Sequence, residues 1–221
     1  MKTYAEIHAM AVERKGAAAI EAHMPNKPDV PLRTLSDDRL LSEFSKRVFQ
    51  AGFNWTVIEN KWPGFEAAFH GFDIGRNALM SDEDLDRHLQ NTDIVRHAAK
   101  ILSVRDNAVF LSDLAKAHGS AARHIGTWPL EDTVGLFALM KSRGNRLGGT
   151  TGQYALRFLG YDNFILSKSV VAALNMAGVI DGAASSKTAL AKVQAAFNEW
   201  RAQSGESQAR ISRVLAMSVP D

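Results

Sequence analysis

Along most of the chain apolar residues recur at every third or fourth position, the period of a helix buried on one face. Residues 3–22 set Tyr4, Ile7, His8, Ala11, Ala18 and Ile20 among charges and predict a first helix. A loop with Pro25, Pro28 and Pro31 ends it, because proline lacks a backbone donor and clashes with the preceding turn. Ser36, Asp37 and Asp38 then offer acceptors for the free amides of a second helix reaching about Gln50. Phe53 to Asn60 and Pro63 to Phe69 read as two short helices. Ser81 with Asp84 three residues on resembles a capping box and opens a helix to about Leu89. Residues 93–117 predict one long helix, with Ile94, Val95, Ala98, Ile101, Leu102, Val109, Leu111 and Leu114 on a broad apolar face. Further helices are expected at 131–142, from the 144–152 glycines to about Leu159, at 167–176, near 186–203 and at 207–217. FNWTVIEN, residues 53–60, alternates too briefly for a strand, and there is no internal repeat. The pattern predicts an all-α fold of about a dozen helices, one globular domain over 1–221, with a groove between two helical lobes.

Composition narrows the function classes. Apolar residues make up 46% of 221, enough for a sizeable core. A formal net charge of only +2 means that a basic surface must be local. With no cysteine, disulfides and thiolate metal sites are excluded. Glu6, Glu13 and Arg14 interrupt the apolar run a signal peptide needs, and no stretch approaches the ~20 apolar residues of a membrane span, so a cytoplasmic protein is expected.

One segment carries candidate chemistry. Residues 140–159 read MKSRGNRLGGTTGQYALRFL, a helix, a glycine-rich turn and a second helix, so that a helix-hairpin-helix spans about 136–160. Gly148 and Gly149 leave backbone N–H groups open to an anion. The amides of Gly149, Thr150 and Thr151 would stand at a helix N-terminus, where the dipole favours a phosphate. Lys141, Arg143 and Arg146 add charge beside them. Such a hairpin grips a DNA strand by its backbone and reads no sequence. Taken alone, the turn reads equally well as a plain junction of two helices.

Its neighbours carry a resemblance. Residues 50–73, QAGFNWTVIENKWPGFEAAFHGFD, look like the pattern Q-A-G-x-x-W followed by F-x-x-x-F-x-x-F-D. Residues 82–101, DEDLDRHLQNTDIVRHAAKI, end like I-I/V-R-H-x-x-K-I, and LGGTTGQY at 147–154 resembles V-G-T-T-x-x-Y. Together, in order over about 48–171, they resemble the 3-methyladenine DNA glycosylase I family of helix-hairpin-helix DNA glycosylases, as a divergent member. The resemblance implies removal of alkylated bases from double-stranded DNA by base flipping, without a cofactor and by a monomer. It places Trp55 as the ring that stacks on the everted base, the alternative being a core tryptophan. Gln50 would reach the base or the backbone, or cap a helix; Phe53 would fill the gap left by the base, or be buried. Arg96 and His97, expected on the long helix, read chiefly as structural, and Asp73 as a cap.

The departures matter as much. The family carries a glutamate that reads the base edge three residues before the glutamine of Q-A-G; here Arg47 stands there, repels a cationic base and cannot accept its hydrogen bonds. Glu43, one turn earlier, either substitutes for that acid or pairs with Arg47. The family's zinc, held by two cysteines and two histidines, has no cysteine ligands here. The wider superfamily places an aspartate after the hairpin, where this chain has Ser167, Lys168 and Ser169. The nearest carboxylate is Asp162, a weak catalytic candidate that equally reads as a cap. Lys168 reads as a phosphate contact or a solvated charge before it reads as an imine-forming lysine, since Thr150 and Thr151 fill the turn where lyases place theirs. Three functions follow: a monofunctional glycosylase for 3-methyladenine-like purines, a catalytically weak or inactive protein that binds damaged or distorted DNA, or a helical scaffold that has lost DNA.

Overall fold

A computed structural model describes residues 1–25 and 30–220. Pro28 of the proline loop therefore lies outside the described residues. The described residues form thirteen α-helices and no strand. They are α1 (Tyr4–Lys15), α2 (Ala17–Ala22), α3 (Asp37–Gln50), α4 (Trp55–Ala68), α5 (Ile74–Ala78), α6 (Asp82–Gln90) and α7 (Ala98–His118). After them come α8 (Ala121–Gly126), α9 (Thr133–Arg143), α10 (Gly149–Phe158), α11 (Lys168–Met176), α12 (Lys187–Ser204) and α13 (Gln208–Met217). The chain divides into two compact units: a terminal unit of 1–27, 129–136 and 161–221, and a central unit of 28–128 and 137–160.

Local sequence accounts for most boundaries, and three elements differ from the periodic reading. Ser81 accepts from the Asp84 amide while Asp84 accepts from the Ser81 amide, so the capping box of α6 is complete. The predicted helix over 3–22 is broken at Gly16, whose φ of 80° lies outside helical space. The two short helices predicted around Pro63 are one helix, α4. Burial of Ile58, Trp62 and Phe65 on one face holds it through the single lost backbone bond. The long helix predicted from residue 93 begins at Ala98. Asn91 Oδ1 accepts from the Asp93 amide, a local turn that competes with helix, and His97 has extended backbone. Arg96 and His97 thus precede α7 rather than lie on it.

The central unit is organised on aromatic residues. Phe49 and Phe65 meet with centroids 4.5 Å apart, and Trp62 stacks on both Phe65 and Phe72. Asp37, in the first turn of α3, accepts from the amides of Ala121 and Ala122 and so caps α8 across the unit. The terminal unit has its own core around Phe164, Phe197 and Trp200, with the two phenylalanines stacked at 4.2 Å. The amide-capping role there falls to Asp162, whose two oxygens accept from Gln208 and Ala209 at the start of α13. No described helix is long and apolar enough to cross a membrane.

Candidate functional site

The last turn of α3, the loop 51–54, the first turn of α4 and the helix α10 meet within the central unit. Gly52 has φ 76°, which allows the chain to reverse between α3 and α4. Asn54 accepts from the Thr56 amide and starts α4 directly at Trp55. An indole at the first position of a helix projects beyond the core, and Trp55 is 45% exposed. It meets two rings of α10 edge-on, Tyr154 at 6.2 Å and Phe158 at 6.1 Å between centroids. Phe158 is itself 47% exposed. These residues form an aromatic box that is only partly covered by protein, which is unusual for so many large rings together.

A polar chain lies against the box. Arg47 is 7% exposed, and its guanidinium carbon sits 3.8 Å from the Phe158 ring centre and 5.4 Å from that of Trp55. Arg47 Nε pairs with Glu43 one turn earlier, and Nη1 donates to Gln50 Oε1 at 2.7 Å. Gln50 in turn donates to Glu59 at 2.9 Å, and Glu59 pairs with Lys46. Burial pushes the Glu43 carboxyl above its ordinary range, against the lowering influence of Arg47. Glu43 is ion-paired with Arg47. Gln50 is buried with both ends of its amide engaged in this chain. Phe53 is exposed, lies edge-on to His97 at 6.4 Å and carries the Lys100 ammonium 4.3 Å from its ring centre.

Lys100 fixes the loop that presents Phe53 and Trp55. Its Nζ donates to the carbonyls of Phe49 at 3.0 Å and Ala51 at 2.6 Å, the open acceptors at the end of α3. Burial, with Arg146 nearby, brings this ammonium down to about 8.

The hairpin of α9 and α10 stands beside the box, because Tyr154 and Phe158 belong to its second helix. Gly149 has φ 60°, and a side chain there would meet nothing within 4 Å, so the turn is open on that side. Gly152 is the opposite case: a Cβ would lie 2.1 Å from the Leu147 carbonyl oxygen, so glycine is required by close packing. No side chain caps α10, which leaves the amides of its first turn for another acceptor. Gly149 and Thr150 are exposed, Gly148 and Thr151 half-buried. Asn107 of α7 clamps the turn by accepting from the Asn145 amide at 2.8 Å and donating to the Asn145 carbonyl at 3.1 Å. Arg146 takes a left-handed φ of 61° and donates to the Ala99 carbonyl. Arg143 is paired with Asp113.

Thus Arg47, Glu43, Gln50 and Trp55 come together, with the hairpin residues on an adjoining element, while Phe53 of the same loop lies against His97 and Lys100. Asp162 and Lys168 belong to the terminal unit, where Asp162 caps α13 and Lys168 is the exposed first residue of α11. The zinc implied by the family resemblance does not fit this chain. There is no cysteine, and among the described residues no group of three histidine, aspartate or glutamate side chains gathers. Periodicity alone missed Tyr154, Phe158, Lys100 and Asn107. The i,i+4 spacing of Tyr154 and Phe158 puts both on one face of α10, and that signal was readable.

The described residues form an all-α fold in which α9, a glycine-rich turn and α10 make a helical hairpin. The sequence pattern of the methyladenine glycosylase family matches residues 30–135. DNA-3-methyladenine glycosylase 1 of Escherichia coli (strain K12) is 39% identical over 59 residues, 27% of this chain and 32% of that protein. DNA-3-methyladenine glycosylase of Haemophilus influenzae is 37% identical over the same length, again 27% and 32% of the two chains. The chain therefore spans about a third of the length of the curated relatives it matches. A crystal structure of 3-methyladenine DNA glycosylase I superposes with a TM-score of 0.50 and 26% identity, over 65% of this chain and 86% of that one. The Staphylococcus aureus enzyme, in a structure described as the basis of its 3-methyladenine recognition, gives a TM-score of 0.53 at 21% identity, over 69% and 92% of the chains.

Proposed function

We propose that this protein is a monofunctional DNA glycosylase of base excision repair, which hydrolyses the N-glycosidic bond of an alkylated base in double-stranded DNA. It works as a monomer in the cytoplasm, with residues 1–221 as one glycosylase domain. The observation that carries this reading is the half-exposed Trp55 ring set edge-on to two rings of the hairpin's second helix. A half-exposed aromatic box offers a stacking face to a base turned out of the duplex. The hairpin beside it would hold the strand through the free amides of Gly149, Thr150 and Thr151 and the charge of Arg146, with Gly148 keeping the approach clear. Water bonds to the sugar C1′ and gives its proton to solvent, while the C1′–N bond breaks with its electron pair going to the base, so that a cationic alkylated purine leaves as the neutral free base. Stacking and strand positioning lower the barrier, and Glu43 is the site's carboxylate.

A second reading, a catalytically weak or inactive binder of damaged DNA, is favoured by one observation: Arg47, not a carboxylate, lies over the aromatic box. Incubation with methylated duplex DNA and chromatography of the freed bases separates the two. The enzyme releases methylated purine, and Trp55→Ala lowers that release about tenfold to a hundredfold, the worth of one base stacked on an aromatic ring. The ring is half solvated, so the variant keeps nearly the parent's thermal stability. Release that persists unchanged in Trp55→Ala would sink the pocket assignment. Tight binding to abasic duplex without any release would favour the second reading.

A further inference from the structure

We propose that the aromatic box is built for a neutral base with a carbonyl oxygen on the edge that meets Arg47, rather than for a cationic alkylated purine; this rests on the reading that the box of a DNA glycosylase receives an everted base, and it moves the preferred substrate of that reading from alkylated to carbonyl-bearing bases. The guanidinium, and not the Glu43 carboxylate, lies over Phe158 and beside Trp55. Its position is not incidental. Two of its nitrogens are held by Glu43 and Gln50, Gln50 is held by Glu59, and Glu59 by Lys46. The second amino nitrogen, Nη2, carries neither of those bonds. The group is thus a fixed cation with a donor to spare, set against half-exposed rings.

A guanidinium presents donors only. It rewards a carbonyl oxygen or an unprotonated ring nitrogen and repels a base that already carries positive charge. The same logic applies to the reaction. A cationic base departs as a neutral molecule and needs no help with charge. A neutral base departs with the electron pair of the broken C1′–N bond, and the negative charge spreads onto its carbonyl oxygen. A preorganised cation at that edge stabilises what develops only as the bond breaks. Water supplies hydroxide to C1′, and its proton finishes on the departing base, so the products are an abasic sugar and the free neutral base.

The test uses the full chain and duplexes that each hold a single hypoxanthine, uracil or 8-oxoguanine, beside methylated duplex DNA as the source of 3-methyladenine. Single-turnover release is measured for each. At least one carbonyl base is expected to be freed ten times or more faster than 3-methyladenine. Arg47→Gln is expected to lower that ratio by at least tenfold, a change in preference that a merely structural role would not produce. The parent's ratio stands as a measurement by itself should the variant fail to fold. Faster release of 3-methyladenine than of every carbonyl base overturns the inference and leaves the glycosylase reading intact. An unchanged ratio in folded Arg47→Gln also overturns it. Release of no base overturns both.

Discussion

At the scale of single residues, the site depends on polar side chains that hold backbone in place. Lys100 is the clearest. Its ammonium stands against the Phe49 and Ala51 carbonyls, where α3 runs out of partners, and in doing so sets the direction of Phe53 and Trp55. Burial, helped by Arg146, lowers it to about 8, whereas an unfolded chain keeps it near the ordinary lysine value. Between those two values the unfolded chain binds more protons than the folded one, so stability rises with pH through that window and no further above it. Denaturant midpoints taken from pH 7.5 to 10.5 are expected to climb in the parent, and Lys100→Met is expected to flatten the climb. Parallel curves for the two proteins would show that Lys100 titrates normally. The residue stood in the segment resembling I-V-R-H-x-x-K-I, yet nothing in periodicity distinguishes a lysine that caps a distant helix from one in solvent. Arg47 was different. Its charge made it conspicuous in the sequence, and the i,i+4 spacing to Glu43 foretold their pairing.

At the scale of elements, what was legible followed from local rules, and what was not followed from packing. The capping box of α6 and the cap of α11 by Ser167 depend on residues three apart, and both stand close to the positions that the sequence suggests. The fusion of two expected helices across Pro63 depends on three buried side chains, which no local signal records. The hairpin combines both kinds. Its glycines announced a turn, but the clamp on that turn comes from Asn107, 38 residues before Asn145. Asn107→Ala leaves the Asn145 amide and carbonyl without that partner and is expected to lower stability by about 1–3 kcal/mol. DNA affinity should fall with it, because the turn is no longer held. Gly149→Asp separates folding from binding. The position has open space and a left-handed backbone that aspartate tolerates better than most residues, so thermal stability should change by only a few degrees. A carboxylate at the start of α10 would occupy the place of a phosphate, and affinity for duplexes of any sequence should drop about tenfold or more. Binding that survives Gly149→Asp would remove the hairpin from the DNA interface.

For the whole molecule, charge limits what can be asked of the surface. A net charge of +2 spread over 221 residues gives no general attraction to a polyanion. Many cations are also already committed: Arg143 to Asp113, Arg39 to Glu66, Arg201 to Glu131 and Arg210 to both Glu21 and Glu206. Arg146 and Lys141, beside the open turn, are the cations best placed for phosphate, and the α10 amides add contacts that carry no whole charge. Each phosphate neutralised by a side chain releases counterions and steepens the fall of log K with log salt by about 0.9. A footprint of two to four such contacts therefore predicts a slope between about −2 and −4, far shallower than that of a protein gripping DNA over a wide basic face. Affinity for an abasic duplex, measured by anisotropy from 50 to 300 mM salt, gives the slope directly. Arg146→Gln should make it shallower by about one, whereas Arg201→Gln, whose arginine is paired with Glu131, should leave it unchanged. A slope near zero in the parent would mean that no strand is held by charge at all. The exposed aromatic box would then need an occupant other than a base presented by DNA.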